Sequence, residues 1–502
     1  MHSPSTTRRG HAARVSARAA GLCLVLSIVA ATALLPQRAL AIADPLITGP
    51  IPATVAPPPL GTTVGATPAE RDYPFLSTVL FPADSGYIEQ EFFMTGTAST
   101  YTTPALATGA VASAGHPYRT RLVVRRPSDP AKFNGKVIVE WENVTNQWPL
   151  DVQWYRAYDY YVSRGYAYVG VNAQRAGVHG TPNGLRAWNP VRYGSLDLTV
   201  DGTITNDALR WDVFSQAGKA IASPVGIDPL GGLPGTRILI ATGDSQSSSN
   251  LATYLNSVHP LDPIYAGFVL GGPLNNAIRS DAAVSNVKVL KVISEWEVMN
   301  GEARVRRPDT NHYVAWEVAG SSHSDLTNFQ RNSQVRLRDV GVLGIQPGTV
   351  NCIDPTRSSV KFYLVYHAAY DWMSRWLAGE QPPAMASPIE TPDITTRPVT
   401  VARDAFGNAL GGIRLPDVTV PISQNTGWNT GGKPPTADGS CRQTGTWIPF
   451  DDSVLQGLYA THGSYVNKVS RAASDVVRQG FVLPDGQPVF VEAAAESSVG
   501  RK

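Results

Sequence analysis

At 502 residues, 43% of them hydrophobic, the chain is long enough to bury a large core. Its 42 basic and 40 acidic side chains are too evenly balanced for a polyanion binder. Its three cysteines have no second Cys or His at zinc-ligand spacing, so the residues offer no structural metal site.

Residues 1–41 read as a secretory signal peptide. "MHSPSTTRRGHAARVSARAA" is basic and free of acids, "GLCLVLSIVAATALL" is apolar but short for a membrane span, and "ALA" at 39–41 offers a small-x-small cleavage site. Arg8-Arg9 raises twin-arginine export, for which Gly10-His11 is a poor continuation, so the export route stays open. Cys23 follows Leu22 at the start of the apolar run, which argues against a lipid anchor, and no later segment is apolar enough to span a bilayer. The expectation is a secreted protein with no stable membrane anchor. Removing the leader takes away five arginines and no acid, leaving 37 basic against 40 acidic residues and a formal charge near −3. No basic block survives, so nucleic acid is not an expected partner. Cys352 and Cys441 remain, and in an oxidising compartment they read as one disulfide.

Residues 42–75 form a Pro- and Gly-rich leader, expected to be extended and weakly ordered. "YIEQEFFMTG" and "YRTRLVVRRP" alternate as half-buried strands should. "GKVIVEW" (135–141) is a short apolar run suited to a strand covered on both faces. "WYRAYDYYVSRG" (154–165) has helical spacing and ends on Gly165, and "YAYVGVNAQ" supplies the next strand. A helix over 206–223 and the strand "RILIAT" follow. "YAGFVLGG", "VKVLKVISEW" and "HYVAWEVAG" are three further strands, and "VKFYLVYHAAYDWMSRWLAG" is a strong helix. This alternation predicts an α/β fold with a mainly parallel central sheet flanked by helices, its core over 76–380. Residues 381–502 begin loop-rich and turn helical at 449–480, and read as an elaboration packed on that core and tied down through Cys441.

Gly243-Asp244-Ser245-Gln246-Ser247 lies between the strand "RILIAT" and the helical pattern "SSNLATYL". In that context a G-x-S-x-G pattern marks a turn that lifts a serine nucleophile out of the sheet, although Gly-Asp-Ser is also an ordinary turn before an N-cap. Serine needs a base, and the base needs an orienting acid. His323 in "GSSHSD" follows the last core strand before the closing helix, where such a base belongs. A solvated loop histidine is the plain alternative, and His367, within a helix, reads as packed. The acid is expected after the preceding strand. There Glu297 is favoured and Glu295 is the alternative, on the view that a loop beyond Ser294 carries the carboxylate to the imidazole. Oxyanion donors are expected from the Gln246 amide and from that of Asn143 or Val144 in "ENVTNQ". The chain is too short between "YAGFVLGG" and "VKVLKVISEW" for a large cap, so a lid must come from 176–204 or from the C-terminal region. Trp188 and Tyr193 in the former are either core or wall of an acyl site.

The segments "YIEQEFFMTGTAS", "KVIVEWENVTN", "GYAYVGVNAQRAGV", "RYGSL", "TGDSQSSSNLATYLN", "SEWEV", "PDTNHYVAWEVAGSSHSD" and "DAFGNALGGIRLPDVTVP" together resemble the large secreted bacterial "alpha/beta hydrolase domain" family of the α/β-hydrolase superfamily. The resemblance implies a serine hydrolase using Ser245, Glu297 or Glu295, and His323, with no cofactor and no metal. Ser247 in place of the usual glycine and Trp296 between the two glutamates depart mildly from the pattern. The expected activity is cleavage of small carboxylic esters, with lactones open, through an acyl-enzyme. A serine peptidase or amidase using the same triad, and a silent envelope-binding protein, are the alternatives. Oligomeric state is not legible in the residues.

Overall fold

Six runs of β-branched and aliphatic residues bury almost every side chain, as strands covered on both faces must. They are β4 (Lys136–Trp141), β5 (Ala167–Val171), β6 (Ile238–Asp244), β7 (Gly267–Gly271), β8 (Lys288–Ser294) and β9 (Tyr313–Val318). They pair in parallel in the order β5-β4-β6-β7-β8-β9. Three antiparallel strands extend the β5 edge: β3 (Val111–Pro127), β2 (Tyr87–Tyr101) and β1 (Leu46–Thr48). The computed structural model describes residues 42–78, 80, 85–281, 284 and 286–501, so the expected signal peptide at 1–41 lies outside the described residues.

Alternation along β4 and β6 assigns the two helical layers. Even-numbered residues meet α1 (Val152–Arg164) and α9 (Phe362–Leu377): Glu140 accepts the Gln153 amide at 2.9 Å, and Thr242 hydrogen-bonds Tyr370 at 2.8 Å. Odd-numbered residues meet α5 (Arg210–Ala222) and α6 (Gln246–Ser257). Trp141 packs on Trp211 and Phe214, while Gly243 lies under Leu251. Helix α5 starts four residues later than the periodicity predicts. Asp207 takes a positive φ of 55° and gives its carboxylate to the Arg175 amide, so the chain is still turning there. The connection from β7 to β8 contains no α-helix among the described residues.

The leader differs from expectation. Strand β1 comes from it, and its Tyr73 and Phe75 are buried core residues. The Tyr73 hydroxyl donates to Asp339 at 2.6 Å, at the end of α8 (Leu326–Val340). The 176–204 segment is likewise anchored. It carries α2 (Arg175–His179), α3 (Leu185–Trp188) and α4 (Pro190–Tyr193). Arg192 pairs with Glu91 at 2.7 Å, the Tyr193 hydroxyl donates to Glu91 at 2.8 Å, and the Trp188 indole donates to the Asp339 carbonyl at 2.8 Å. Trp188 and Tyr193 are therefore core, not pocket wall.

After the short helix α7 (Glu295–Asn300) and helices α8 and α9, the chain returns over the sheet's carboxyl end. This region contains α10 (Pro416–Thr419), the antiparallel pair β10 (Ser423–Thr426) and β11 (Thr446–Pro449), α11 (Asp438–Arg442) and α12 (Asp452–Leu458). Helices α13 (His462–Arg478) and α14 (Gln487–Glu496) close it. Cys352 and Cys441 form the disulfide, closing 89 residues with Cα atoms 5.7 Å apart. No helix among the described residues is long and apolar enough to cross a membrane. Disulfides typically contribute about 2–4 kcal/mol to stability. The Cys352→Ala/Cys441→Ala double variant is therefore expected to lose that much in urea unfolding followed by tryptophan fluorescence. A loss under about 1 kcal/mol would mean that non-covalent contacts alone hold the region.

Candidate active site

Ser245 sits between β6 and α6 with φ 58° and ψ −119°, a conformation that non-glycine residues adopt only when their surroundings enforce it. The enforcement is visible. Its amide donates to the Gly271 carbonyl at the end of β7 (2.9 Å), and its carbonyl accepts from Ser249 (2.9 Å). Ser247, where glycine is usual, closes the turn from inside. Its Oγ accepts the Asp244 amide at 3.0 Å and donates to the Asp244 carbonyl at 2.9 Å. The departure from the motif thus adds two hydrogen bonds to the strained corner, and Ser245 itself stays half-exposed.

The two glutamates after β8 separate completely. Glu297 lies in the first turn of α7, not in a loop, and forms a capping box with Ser294. Its Oε2 accepts the Ser294 amide at 2.7 Å and the Ser294 hydroxyl, while the Trp296 amide donates to Ser294 Oγ at 3.2 Å. That leaves Oε1 for His323, whose Nδ1 it meets in a hydrogen bond. Glu295 points elsewhere: Oε2 accepts the Gly320 amide (2.7 Å), and Oε1 accepts Arg403 (2.8 Å) and the Gly427 amide (3.1 Å). Glu297 is therefore the carboxylate at the imidazole, and Glu295 holds the histidine loop to the C-terminal region. Burial works to raise the Glu297 carboxyl, but His323 and Ser294 outweigh it and hold it below its usual range. Burial works to lower the His323 imidazole, and the Glu297 charge reverses this and holds it above its usual 6.5. At Gly272, φ is +51° and an added Cβ would lie 2.9 Å from Glu297 Oε1 and 3.5 Å from His323 Nδ1. Only glycine lets the end of β7 pass so close to the pair.

Arg156 had no signal in the sequence beyond being a polar residue in a helix. It is 3% exposed on α1, just before the helix breaks at Ala157 (φ −140°, ψ 18°). The Tyr155 and Arg156 carbonyls at that break accept Arg331 at 3.0 and 3.1 Å. The Arg156 guanidinium reaches Asp244 Oδ2 (3.0 Å), Asp325 Oδ2 (2.9 Å) and the His323 carbonyl (2.9 Å). One side chain thus joins the residue before Ser245 to both ends of the turn carrying the imidazole. Asp325 also caps α8, accepting the Asn328 amide at 2.9 Å. Gln153 adds a second tie to Asp244 at 2.9 Å.

Of the expected oxyanion donors, Gln246 is the first residue of α6, so its amide has no intrahelical acceptor. The Asn143 amide, in contrast to the expectation, is not free. It donates to the Leu150 carbonyl at 2.9 Å, while its side chain donates to the Asp244 carbonyl at 3.0 Å, so Asn143 buttresses the turn and its amide is committed. Among the described residues the Val144 amide has no acceptor. The Trp296 ring lies 4.8 Å from the imidazole and stacks on Trp428 at 6.2 Å, which brings the C-terminal region to the flank of the site. His367 is buried in α9 and stacks on Tyr160.

The fold and this arrangement define an α/β-hydrolase: a mainly parallel sheet with a strained serine, an acid and a histidine in that chain order beyond its carboxyl end. The family model described as "Alpha/beta hydrolase domain" matches residues 47–492, and the chain belongs to that family. No curated protein matches the sequence. Among solved structures, a putative dienelactone hydrolase from Klebsiella pneumoniae subsp. pneumoniae MGH 78578 is 12% identical, with a TM-score of 0.23, over 45% of this chain and 85% of that one. Acetyl xylan esterase 1 from Thermoanaerobacterium sp. JW/SL YS485 is 11% identical, with a TM-score of 0.25, over 47% and 81%. An α/β serine hydrolase without a lid from Xanthomonas campestris is 14% identical, with a TM-score of 0.25, over 45% and 86%.

Removing Arg156 strands two buried carboxylates, a change that typically costs about 3–5 kcal/mol. Arg156→Met is expected to lose that much in urea unfolding. A loss below about 1 kcal/mol would show that Asp244 and Asp325 are held by their other donors.

Proposed function

We propose that this protein hydrolyses small carboxylic esters through an acyl-enzyme formed on Ser245. The observation that carries the reading is the strained, half-exposed Ser245 on a turn tied through Arg156 to the loop that presents the His323–Glu297 pair. In this reading Ser245 Oγ attacks the ester carbonyl carbon as His323 Nε2 takes its proton. Glu297 keeps the remaining proton on Nδ1 and stabilises the imidazolium. The amides of Gln246 and Val144 receive the oxyanion, and His323 returns its proton to the departing alcohol. Water then attacks the acyl-enzyme with the same imidazole as base, releasing the acid and Ser245. None of these steps calls on a cofactor. The Cys352–Cys441 disulfide supports the further proposal that the protein works in an oxidising compartment, outside the cytoplasm.

A fluorophosphonate probe should label the protein at Ser245. Ser245→Ala should abolish labelling and lower turnover of p-nitrophenyl esters by roughly four to six decades. Folded protein that neither labels nor turns over such esters would overturn the reading. The pH profile gives a second check. The base must be neutral, so kcat/KM should fall as pH drops through the His323 pKa, which Glu297 raises above 6.5. In Glu297→Gln the raising charge is gone and burial dominates. The acidic limb should move below that of the wild type while kcat falls by about three to four decades. An unmoved limb would remove Glu297 from its role.

A further inference from the structure

A cavity of about 640 Å³ lies among β10, β11, α13, α14 and the 347–361 segment. That volume falls within the roughly 300–1,000 Å³ typical of small-molecule sites. Ser245, Glu297 and His323 are not among its lining residues. Its apolar wall includes Val420, Ile422, Trp447, Val469 and Phe490, and its charged lining is Arg357, Lys361 and Asp417. Lys361 Nζ pairs with Asp417 at 2.7 Å, so those two charges cancel.

Arg357 is left over. It is 4% exposed, and its guanidinium is held entirely by neutral oxygens. Nε and Nη2 donate to the Ile345 carbonyl, and Nη1 donates to the Ser324 carbonyl (2.6 Å) and hydroxyl (2.8 Å). Four of its five N–H groups are thereby used, and one on Nη2 has no acceptor among the described residues. The acid whose field reaches it is Asp325, already committed to Arg156 at 2.9 Å. The Phe329 ring, 4.4 Å away, offers only its π-face. Burial without a paired carboxylate pulls the Arg357 pKa down, the expected sign for a cation lacking its counter-charge.

We propose that this cavity binds a single-chain amphiphile with a carboxylate head, which meets Arg357 while the chain lies against Val420, Ile422, Val469 and Phe490. One spare N–H and a guanidinium that no carboxylate hydrogen-bonds match a monoanion. The apolar wall formed by Val420, Ile422, Val469 and Phe490 matches a hydrocarbon chain, while Thr349, Ser359, Ser423 and Asn425 also line the cavity. The site is separate from the serine, so the proposal does not rest on the hydrolase reading.

The test is titration calorimetry of the purified protein with sodium decanoate, decan-1-ol and decyltrimethylammonium bromide, each below its aggregation limit. Decanoate is expected to bind one site, at least tenfold tighter than decanol, with no binding of the ammonium. Arg357→Gln should lower decanoate affinity at least tenfold, to the level of decanol. Val469→Trp, which fills the cavity and leaves Arg357 in place, should abolish binding of both with thermal unfolding unchanged. If Arg357→Gln does not fold, Val469→Trp and the ammonium comparison decide. Absence of decanoate binding, equal binding of the ammonium, or wild-type decanoate affinity in Val469→Trp would each overturn the proposal.

Discussion

The site depends on one buried guanidinium. Arg156 has its charge balanced by Asp244 and Asp325 and gives a further hydrogen bond to the His323 carbonyl. A cation buried with two carboxylates is costly to desolvate, and such groups rarely earn their place through stability alone. What this one provides is distance control. The turn bearing Ser245 and the turn bearing His323 come from different parallel strands, β6 and β9, with two strands between them. Backbone ladders fix the strands, yet nothing in a parallel ladder fixes the loops beyond their carboxyl ends. A rigid fork with several donors can hold two such loops at one spacing, which a flexible ammonium could not.

The same economy governs the pair of glutamates. Residues 295 and 297 both fall in the first turn of α7, where the helix dipole favours carboxylates, but they point to different faces. The capping box uses one oxygen of Glu297 and so orients the other toward the imidazole. Glu295, one step around the helix, is turned away and spends its oxygens on Gly320, Arg403 and Gly427. One helix start therefore both aims the acid and fastens the base of the histidine loop.

These details explain what could be read in the sequence and what could not. The β6 turn, the histidine after β9 and the acid after β8 were legible because each belongs to a local strand-to-loop pattern. Glu297 over Glu295 followed from where the strand ends, although the carrier is a helix and not a loop: Ser294 both closes β8 and caps α7. Arg156 was not legible. Its partners lie 88 and 169 residues away, and in its own helix it looks like any polar residue. The commitment of the Asn143 amide is illegible for a similar reason, since its acceptor Leu150 is fixed by how the loop folds back. The order of the leader is not legible in its proline and glycine content, because Tyr73 and Phe75 are ordered by residues supplied much later in the chain.

The C-terminal region is part of the site's architecture, because it reaches the histidine loop and α7 at independent points. The Ser324 amide donates to the Gln443 carbonyl at 2.9 Å, and Gly427 is held by Glu295 while Trp428 stacks on Trp296; from the segment before α9, Arg357 holds the Ser324 carbonyl. Gln443 follows Cys441 by two residues, and Arg357 follows Cys352 by five. The crosslink therefore joins, in one covalent loop, the two segments that grip Ser324 from either side. Loops of this kind are loosely packed on their own, and ordering them costs conformational entropy that short hydrogen bonds barely offset. A disulfide lowers that cost by restricting the unfolded chain. Its placement beside Gln443 and Arg357, away from the parallel core, puts the restriction where the imidazole's backbone most needs a fixed position.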